Sequence, residues 1–374
     1  MMRRVLALTR KEVHQLLRDR SNLMLGGVLP IILILIFGYG LSFDVRDAPV
    51  AVVMEDASPL AHEAIAGLTL SRYLAPMIVR DMPSAEALLH AREVDAILRV
   101  PADFSRRYAG GDAQLQVILH GVDVARARTI DSYLRAAVGQ MALREADRAG
   151  ALRGGAAAGG PVSIEQRMWF NAANTSTWFL VPGLIVLITT LVGAFLTALV
   201  MAREWERGTL EALFVTPVRP IEILVAKLLP YFAVAMLGLV LCLLAARGLF
   251  HVPIRGSLEV ILLASVCYVF VSLAIGLLIS AATKNQFLAS QIALVVSFMP
   301  ALMLSGFLFD LRNMPAAVSA LGHVLPATHY LELLKSLFLA GNVWPMILRD
   351  TAILLLYALL LLALARSRTR KRLE

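Results

Sequence analysis

The chain has 374 residues, of which 59% are hydrophobic and only 17% charged, and its mean hydropathy is +0.73. A soluble domain has about 45–50% apolar residues and about a quarter charged ones. The composition therefore excludes a water-soluble enzyme, a disordered chain and a disulfide scaffold. The two cysteines, Cys242 and Cys267, both lie inside apolar runs, so they offer neither a disulfide framework nor a metal cage.

The apolar residues are gathered into six runs that lack acidic, basic and histidine side chains. Runs of about 18 or more such residues predict helices that cross a bilayer. The runs are Leu23–Phe43, Ser176–Ala202, Leu228–Ala246, Val260–Thr283, Asn285–Phe309 and Thr351–Ala365, the last extended beyond Arg349 and Asp350 by Val343–Leu348. An even number of crossings places both chain termini on one side of the membrane.

Basic residues near the ends of spans mark the cytoplasmic side of a membrane protein. Both termini and the loop after the second run are rich in them: Arg3, Arg4, Arg10, Lys11, Arg18, Arg20, Arg203, Arg207, Arg219, Arg366, Arg368, Arg370, Lys371 and Arg372. We therefore predict cytoplasmic termini, with a basic tail at 367–374. The net charge of +8 then reflects topology and contact with anionic membrane lipids, and we expect no nucleic-acid partner.

Residues 1–22 are patterned as an amphipathic helix that precedes the first span at 23–43. Apolar side chains fall on one arc (Val5, Leu6, Val13, Leu16, Leu17) and basic ones on the other (Arg3, Arg4, Arg10, Lys11, His14, Arg18). Such a helix lies flat at a membrane surface. It is either a simple topology anchor or part of a docking platform for a cytoplasmic partner.

Residues 44–175 are the one large polar insertion, and we assign 44–165 to a domain outside the cytoplasm. Short apolar segments predict strands at Val50–Met54, Ala75–Arg80, Asp95–Val100 and Leu115–Leu119, with helices at Pro59–Leu70, Ser84–Arg92, Phe104–Ala109 and Ile130–Arg148. Alternation of strands and helices predicts a small α/β domain. A glycine-rich hinge at Ala151–Gly160 follows. No catalytic motif appears, so we interpret the domain as a binding or docking module.

The remaining spans occupy 166–366, and the segment 310–348 within them is apolar but interrupted. Pro326 separates two short helices, Pro315–Leu325 and Thr328–Leu339. Segments of this length enter a membrane from outside without crossing it only when they pack against protein. We therefore predict two re-entrant outer helices, with His323 and His329 as helix-end residues and no metal site.

The spans hold no ionisable residue in their central stretches. Lys227, Glu259, Asp310 and Asp350 sit at span ends, where we expect them to reach water. Ion-coupled carriers need such groups at depth, which argues against proton or sodium coupling. No lysine follows a glycine, so the chain lacks the P-loop of ATPases. We predict that it is not an enzyme by itself and holds no cofactor.

An ATPase in another chain would have to act on the one substantial cytoplasmic loop, 203–223. Charged residues come first, and Thr209–Val215 then predicts a short amphipathic helix that ends at Pro217. Pro220 and Glu222 suit the start of the next helix. The loop is either a lever on which a partner pushes or a plain capped connector.

Three segments resemble bacterial ABC type-2 transporter permeases. The most specific runs Ala202-Arg-Glu-Trp-Glu-Arg-Gly-Thr-Leu-Glu-Ala-Leu-Phe-Val-Thr-Pro217. The others are Met299–Phe309 with Arg312–Pro315, and Leu325–Lys335. The large insertion, with Asp103–Ser105, is similar to the extracytoplasmic domain of the long permeases in that family.

The resemblance implies a polytopic α-helical membrane protein of the bacterial inner membrane with six transmembrane helices. It implies a permease subunit of an ATP-driven exporter, which dimerises with itself or with a related permease. A cytoplasmic ATP-binding subunit would bind ATP and magnesium. Members with the large outer domain often pair with a periplasmic adaptor and an outer-membrane duct. The family's cargoes include drugs and lipids, and the charge-free spans favour a hydrophobic or amphiphilic one.

Two sets of site residues follow from the resemblance and the helix pattern. The family's coupling helix maps onto Glu204, Glu206, Gly208, Thr209 and Glu211, and the interfacial helix presents Arg3, Arg4, Arg10, Lys11 and Arg18.

The alternative function is a non-transporting transducer that relays ATPase motion to a periplasmic partner. A membrane-embedded enzyme is a third hypothesis, without a residue constellation behind it.

Overall fold

A computed structural model describes residues 2–40, 47–110, 112–121, 126–139, 175–209 and 218–368. The chain folds into two compact units, and the second is inserted in the sequence of the first. One comprises Met1–Ser42 and Met168–Glu374, and the other comprises Phe43–Arg167.

Among the described residues of the first unit, six helices are long and apolar enough to cross a membrane, as predicted. Numbered here as spans 1 to 6, they are Arg20–Gly40, Ser176–Glu206, Pro220–Gly248, Leu258–Thr283, Gln286–Leu304 and Trp344–Arg368. Spans 2, 3, 4 and 6 are longer than the uncharged runs. Span 3 in particular begins at Pro220, seven residues before Lys227. This lysine does not mark the helix end because it is paired inside the protein.

The facing ends of spans 2 and 3 are set by local capping. Span 2 ends at Glu206, and Gly208 follows in the left-handed region with φ of 65°. Its backbone N–H donates to the Trp205 carbonyl over 3.1 Å, a helix end that glycine favours. Span 3 begins at Pro220, and the Glu222 carboxylate accepts from the Arg219 N–H over 2.8 Å. Of the predicted helix at 209–215, all but Thr209 lies outside the described residues.

Span 2 is the most deeply buried of the six and packs closely on span 4. A Cβ atom at Gly276 would lie 2.2 Å from the carbonyl oxygen of Ala194, so only glycine permits this approach. Hydroxyl groups bond across the same contact. Thr197 donates to the Leu273 carbonyl over 2.8 Å, and Ser280 accepts from the Ala202 N–H over 2.6 Å.

The N-terminal helix runs from Met2 to Arg18 and packs against span 3. It is shorter than the predicted 1–22, because Asp19 caps the next helix by accepting from the Ser21 N–H over 3.1 Å. Glu12 and Leu16 are its buried residues. The acidic side chain of Glu12 therefore lies on the buried face of the N-terminal helix.

Two short helices precede span 6, in the region predicted to be re-entrant. They are Ala316–Val324 and Pro326–Lys335, and a π-helical turn over Ser336–Ala340 extends the second. Pro326 begins the second helix, since proline suits a first helical turn. Asp350 was expected to reach water, and this was wrong. It is fully buried and paired with Arg349 over 2.9 Å.

The second unit is built on a four-stranded sheet, β1 (Ala48–Met54), β2 (Leu74–Val79), β3 (Ala96–Val100) and β4 (Gln116–Leu119). The strand order is β2-β1-β3-β4, with β1 parallel to both neighbours and β4 antiparallel to β3. Helices lie at Pro59–Thr69, Met82–His90, Phe104–Ala109 and over 126–139. The alternation is as predicted, but the end of the last helix and the glycine-rich hinge lie outside the described residues.

Both faces of this sheet are covered, as the apolar sequence of β1 requires. Val50 and Val52 belong to one buried cluster, and Ala51 and Val53 belong to another. Alternate residues of a strand point to opposite faces, so a strand buried on both sides reads as a continuous apolar run.

Candidate functional site

Four charged side chains meet where the N-terminal helix contacts spans 2 and 3. Lys227 Nζ lies 3.2 Å from Glu12 Oε1 and 2.5 Å from Glu204 Oε2. Lys11 Nζ lies 3.2 Å from Glu12 Oε1 and 3.0 Å from Glu204 Oε1. We call these four residues the charge cluster. Its two cations and two anions alternate, so each carboxylate bridges both lysines.

Three of the four side chains in the charge cluster are buried. The side chains of Glu12, Glu204 and Lys227 are 3%, 3% and 2% exposed, whereas Lys11 is 45% exposed. A buried charge is strongly unfavourable unless it is paired. Separating the N-terminal helix from spans 2 and 3 would leave charges unpaired, so the cluster holds these three elements together.

A second set of polar contacts joins spans 1, 2 and 5 beside the cluster. Asp19 forms an ion pair with Arg203, whose Nε donates to Gln286 Oε1 over 3.1 Å. Glu206 Oε1 accepts from the Gln286 N–H over 2.8 Å. The end of span 2 is thus tied to the starts of spans 1 and 5.

Lys11 and Asp19, which both precede span 1, favour their charged forms. Burial disfavours the charge on Lys11, but the carboxylates of Glu204 and Glu12 outweigh it and raise the pKa of Lys11. Burial likewise opposes the charge on Asp19, and the hydrogen bond and positive charge of Arg203 overcome it and lower the pKa of Asp19. The contacts therefore persist as ion pairs near neutral pH.

The structure separates the predicted coupling residues into different settings. Glu204 points into the charge cluster and does not present its carboxylate at the surface. Glu206, Gly208 and Thr209 are exposed, and Thr209 Oγ1 donates to the Glu204 carbonyl over 3.3 Å. Glu211 lies outside the described residues.

Of the predicted interfacial residues, Lys11 contacts a predicted coupling residue, since its Nζ lies 3.0 Å from Glu204 Oε1. Arg3, Arg4, Arg10 and Arg18 are exposed along the N-terminal helix.

The sequence interpretation missed Glu12, Asp19, Lys227 and Gln286. One signal was present: Glu12 precedes Leu16 by four residues, so both share a helix face, and an acid on an apolar face needs a partner. Lys227 was expected to reach water, and this was wrong, since it is 1% exposed.

A pocket with a volume of about 850 Å³ opens beside the charge cluster. We call it the basic concave surface. It is lined by Lys11, His14, Gln15, Arg18, Asp19, Arg20, Arg203, Arg207 and Gln286. Among the described residues, no group of three His, Cys, Asp or Glu side chains could hold a metal ion. The arrangement suits electrostatic recognition of an acidic surface, and its buried pairs suit transmission of movement between helices.

Comparisons with known proteins point to one family. The family model described as "ABC-2 family transporter protein" matches residues 23–366. The chain is 36% identical over 376 aligned residues to the probable multidrug ABC transporter permease YbhS of Escherichia coli (strain K12), which covers 100% of this chain and 98% of the relative. It is 28% identical over 360 residues to the probable multidrug permease YbhR of the same organism, with 93% and 95% covered. The chain is also 28% identical over 377 residues to the inner membrane transport permease YhhJ of Escherichia coli (strain K12), with 94% of each chain covered.

Proposed function

The chain belongs to the ABC-2 family of transporter proteins, and we propose that it is the permease subunit of an ATP-driven exporter in the bacterial inner membrane. In this proposal both termini are cytoplasmic, and a separate cytoplasmic subunit binds and hydrolyses ATP with magnesium. Two permease copies, identical or closely related, form the pathway between them. The observation that carries the proposal is the charge cluster, which ties three elements together at the base of the loop 203–223.

The cluster suggests how a push on this loop reaches the spans. The loop joins the end of span 2 to the start of span 3, and Glu204 and Lys227 pair just inside those two ends. Movement of the loop therefore shifts both spans with the N-terminal helix. Arg203 and Glu206 pass the movement to spans 1 and 5 through Asp19 and Gln286. Packed elements of this kind switch between discrete arrangements and deform little in between.

We divide the coupling residues by what they touch. Glu206, Gly208, Thr209 and Glu211 contact the ATP-binding subunit, whereas Glu204 holds the base of the loop in place. The arginines of the N-terminal helix and the basic concave surface attract acidic residues of that subunit, because complementary charge favours docking.

The cargo in this proposal is hydrophobic or amphiphilic. The relatives YbhS and YbhR are described as probable multidrug permeases, and the outward faces of the spans are rich in exposed leucine and valine. The short helices before span 6 are the re-entrant outer helices. The α/β unit lies outside the cytoplasm, where a periplasmic adaptor leading to an outer-membrane duct would bind.

Co-purification with the ATP-binding subunit tests the coupling role. We expect a variant with Glu206→Lys and Glu211→Lys to lose that subunit, because both substitutions reverse charge on the docking loop. Glu259→Lys is the matched control, since this exposed glutamate starts span 4, far along the sequence from the loop. Unchanged binding and export by the double variant would refute the coupling role.

A second measurement separates export from signal relay. In proteoliposomes that contain the permease and its ATP-binding subunit, an exporter's ATPase activity rises when cargo is added and cargo accumulates in one compartment. A non-transporting transducer would hydrolyse ATP without moving any cargo.

A further inference from the structure

A cavity of about 560 Å³ opens where span 2 begins and span 5 has just ended. It therefore lies at the opposite ends of these two spans from the charge cluster. Three parts of the chain line it: Phe179 at the start of span 2, the segment after span 5, and the two short helices. The lining residues of the last two parts are Ser305–Leu308, Asp310–Arg312, His323, Leu331, Glu332 and Lys335. The volume falls in the range of small-molecule sites, about 300–1,000 Å³.

Lys335 places a positive charge against an aromatic wall of this cavity. Its Nζ lies 3.8 Å from the centre of the Phe179 ring and donates to the Gly306 carbonyl over 3.2 Å. Within the described part of the chain it forms no ion pair. A cation over an aromatic face in an apolar setting is a stable arrangement, but its charge stays without a counter-ion.

Two carboxylates that line the same cavity, those of Asp310 and Glu332, are held by other cations. Asp310 Oδ2 lies 2.6 Å from Arg312 Nη2. Glu332 Oε2 lies 3.3 Å from Arg349 Nη2. Both acids therefore have an arginine partner already, and the ammonium of Lys335 is left as the cation that a ligand can neutralise.

Ser305 supplies a second polar group without a partner in the same cavity. The residue is 2% exposed, and its Oγ has no hydrogen-bond partner among the described residues. Buried hydroxyl groups are nearly always hydrogen-bonded. Ser305 also lines the cavity, so rotation of its side chain about the Cα–Cβ bond would turn this unpaired donor towards a ligand.

We propose that this cavity binds an amphiphile with an anionic head, a phosphate or a carboxylate. Lys335 Nζ donates to the oxygens of the head, and Ser305 Oγ does so once its side chain has rotated. Phe179, Phe307 and Leu308 contact the apolar chain. The site is far from the coupling loop along spans 2 and 5, and binding there needs no ATP-binding subunit, so it can be tested apart from the proposed function.

Native mass spectrometry of the purified full-length permease in a neutral detergent tests the proposal. We expect dodecyl phosphate to form a saturable adduct of one molecule per chain. Inorganic phosphate supplies only the head and dodecanol only the tail, and neither should bind at the same concentration. Dodecanol binding as well as dodecyl phosphate would overturn the proposal, because the cavity would then recognise the chain alone.

A lipid arm identifies the source of the amphiphile. Dioleoyl phosphatidic acid carries the same head on two chains. If it binds and dodecyl phosphate displaces it, the occupant is a resident membrane lipid. If only dodecyl phosphate binds, the occupant is a single-chain amphiphile that enters from elsewhere. Either result supports the site.

Two variants place the adduct in the cavity. Lys335→Gln removes the charge and should weaken binding at least about tenfold, and Ser305→Ala should weaken it about threefold. Arg247→Gln is the control, because it removes an exposed cation at the end of span 3. Ser305→Ala deletes a group without a partner in the described protein, so it gives an answer even if Lys335→Gln fails to fold. Wild-type affinity in Ser305→Ala and in a folded Lys335→Gln would refute the assignment.

Discussion

Lys227 of span 3 and Glu204 of span 2 form an ion pair of 2.5 Å inside the protein, beside Glu12 of the N-terminal helix. The pair gives an otherwise apolar bundle a fixed attachment for its N-terminal helix. Hydrophobic contact alone would let this helix slide, whereas buried charges are satisfied in one register only. We infer that the buried ion pairs fix the register of the N-terminal helix against spans 2 and 3.

Replacing one member of the charge cluster should destabilise the permease strongly. Lys227→Met leaves Glu12 and Glu204 with only the half-exposed Lys11 between them. Loss of one partner from a buried ion pair costs about 3–5 kcal/mol. We expect a markedly lower melting temperature in detergent, and faster proteolysis of the N-terminal helix as it detaches.

Removing the opposing charge should restore part of that stability. In a double-mutant cycle, Lys227→Met combined with Glu204→Gln leaves one lysine and one glutamate, Lys11 and Glu12, still paired. We expect the double variant to melt above Lys227→Met alone. Arg247→Met, an exposed cation at the other end of span 3, should leave the melting temperature unchanged. Strictly additive effects of the two cluster variants would contradict the coupling between them.

Acid should loosen the second unit through Asp56. Its carboxylate accepts from the N–H groups of Ser105 and Ser58, both over 2.8 Å, and these bonds lower its pKa to about 2. A pKa lowered by folding means that the stabilisation is present above the unfolded value, about 3.9, and is lost as pH falls through the folded one. We expect the helix Phe104–Ala109 to detach from the segment that follows β1 between about pH 4 and pH 2.

Pepsin, which is active in this range, can measure that detachment in the full chain. Cleavage at Phe104 should accelerate as the pH drops through this window. Asp56→Asn keeps the shape but has no charge to lose, so its cleavage should start faster and change less with pH. Identical pH profiles for the two proteins would show that another group controls the acid response.

The contact between spans 2 and 4 should tolerate no side chain at Gly276. A Cβ there would meet the Ala194 carbonyl at 2.2 Å, and backbone atoms cannot move aside as a flexible side chain can. We expect Gly276→Ala to destabilise the protein by about 1–3 kcal/mol through overpacking. Gly27→Ala in span 1 is the matched control, because its Cβ would meet nothing within 4 Å. Equal melting temperatures would show that the spans separate without cost.

The sequence predicted most of this fold because its elements have local signatures. Uncharged runs identified all six spans, and short apolar segments located β1 to β4 to within two residues. The ends of spans 2 and 3 were less accurate, because a charged residue was read as a helix boundary. Lys227 continues its helix instead, since a partner from another element neutralises it.

Pairings between distant residues could not be read from one sequence. Glu12 and Lys227 are 215 residues apart, and the local sequence around either residue does not predict that the two form a pair. The same holds for the cavity of Ser305 and Lys335, which depends on the short helix packing beside the end of span 5. Charge at an unexpected position signals that a partner exists, but only the fold identifies it.

The turn at Gly208 should control how well the loop transmits force. Gly208 has φ of 65°, and a Cβ there would meet no atom of the described residues within 4 Å. Valine and asparagine both place a side chain at the proposed contact with the ATP-binding subunit, so the difference between them reports on the backbone. A β-branched residue in the left-handed region costs at least about 1–2 kcal/mol, whereas asparagine adopts it more easily. In the reconstituted complex, we expect Gly208→Val to bind the ATP-binding subunit yet lose most cargo-stimulated ATPase activity, with Gly208→Asn close to wild type. Full stimulation in Gly208→Val would mean that the loop transmits movement without this turn.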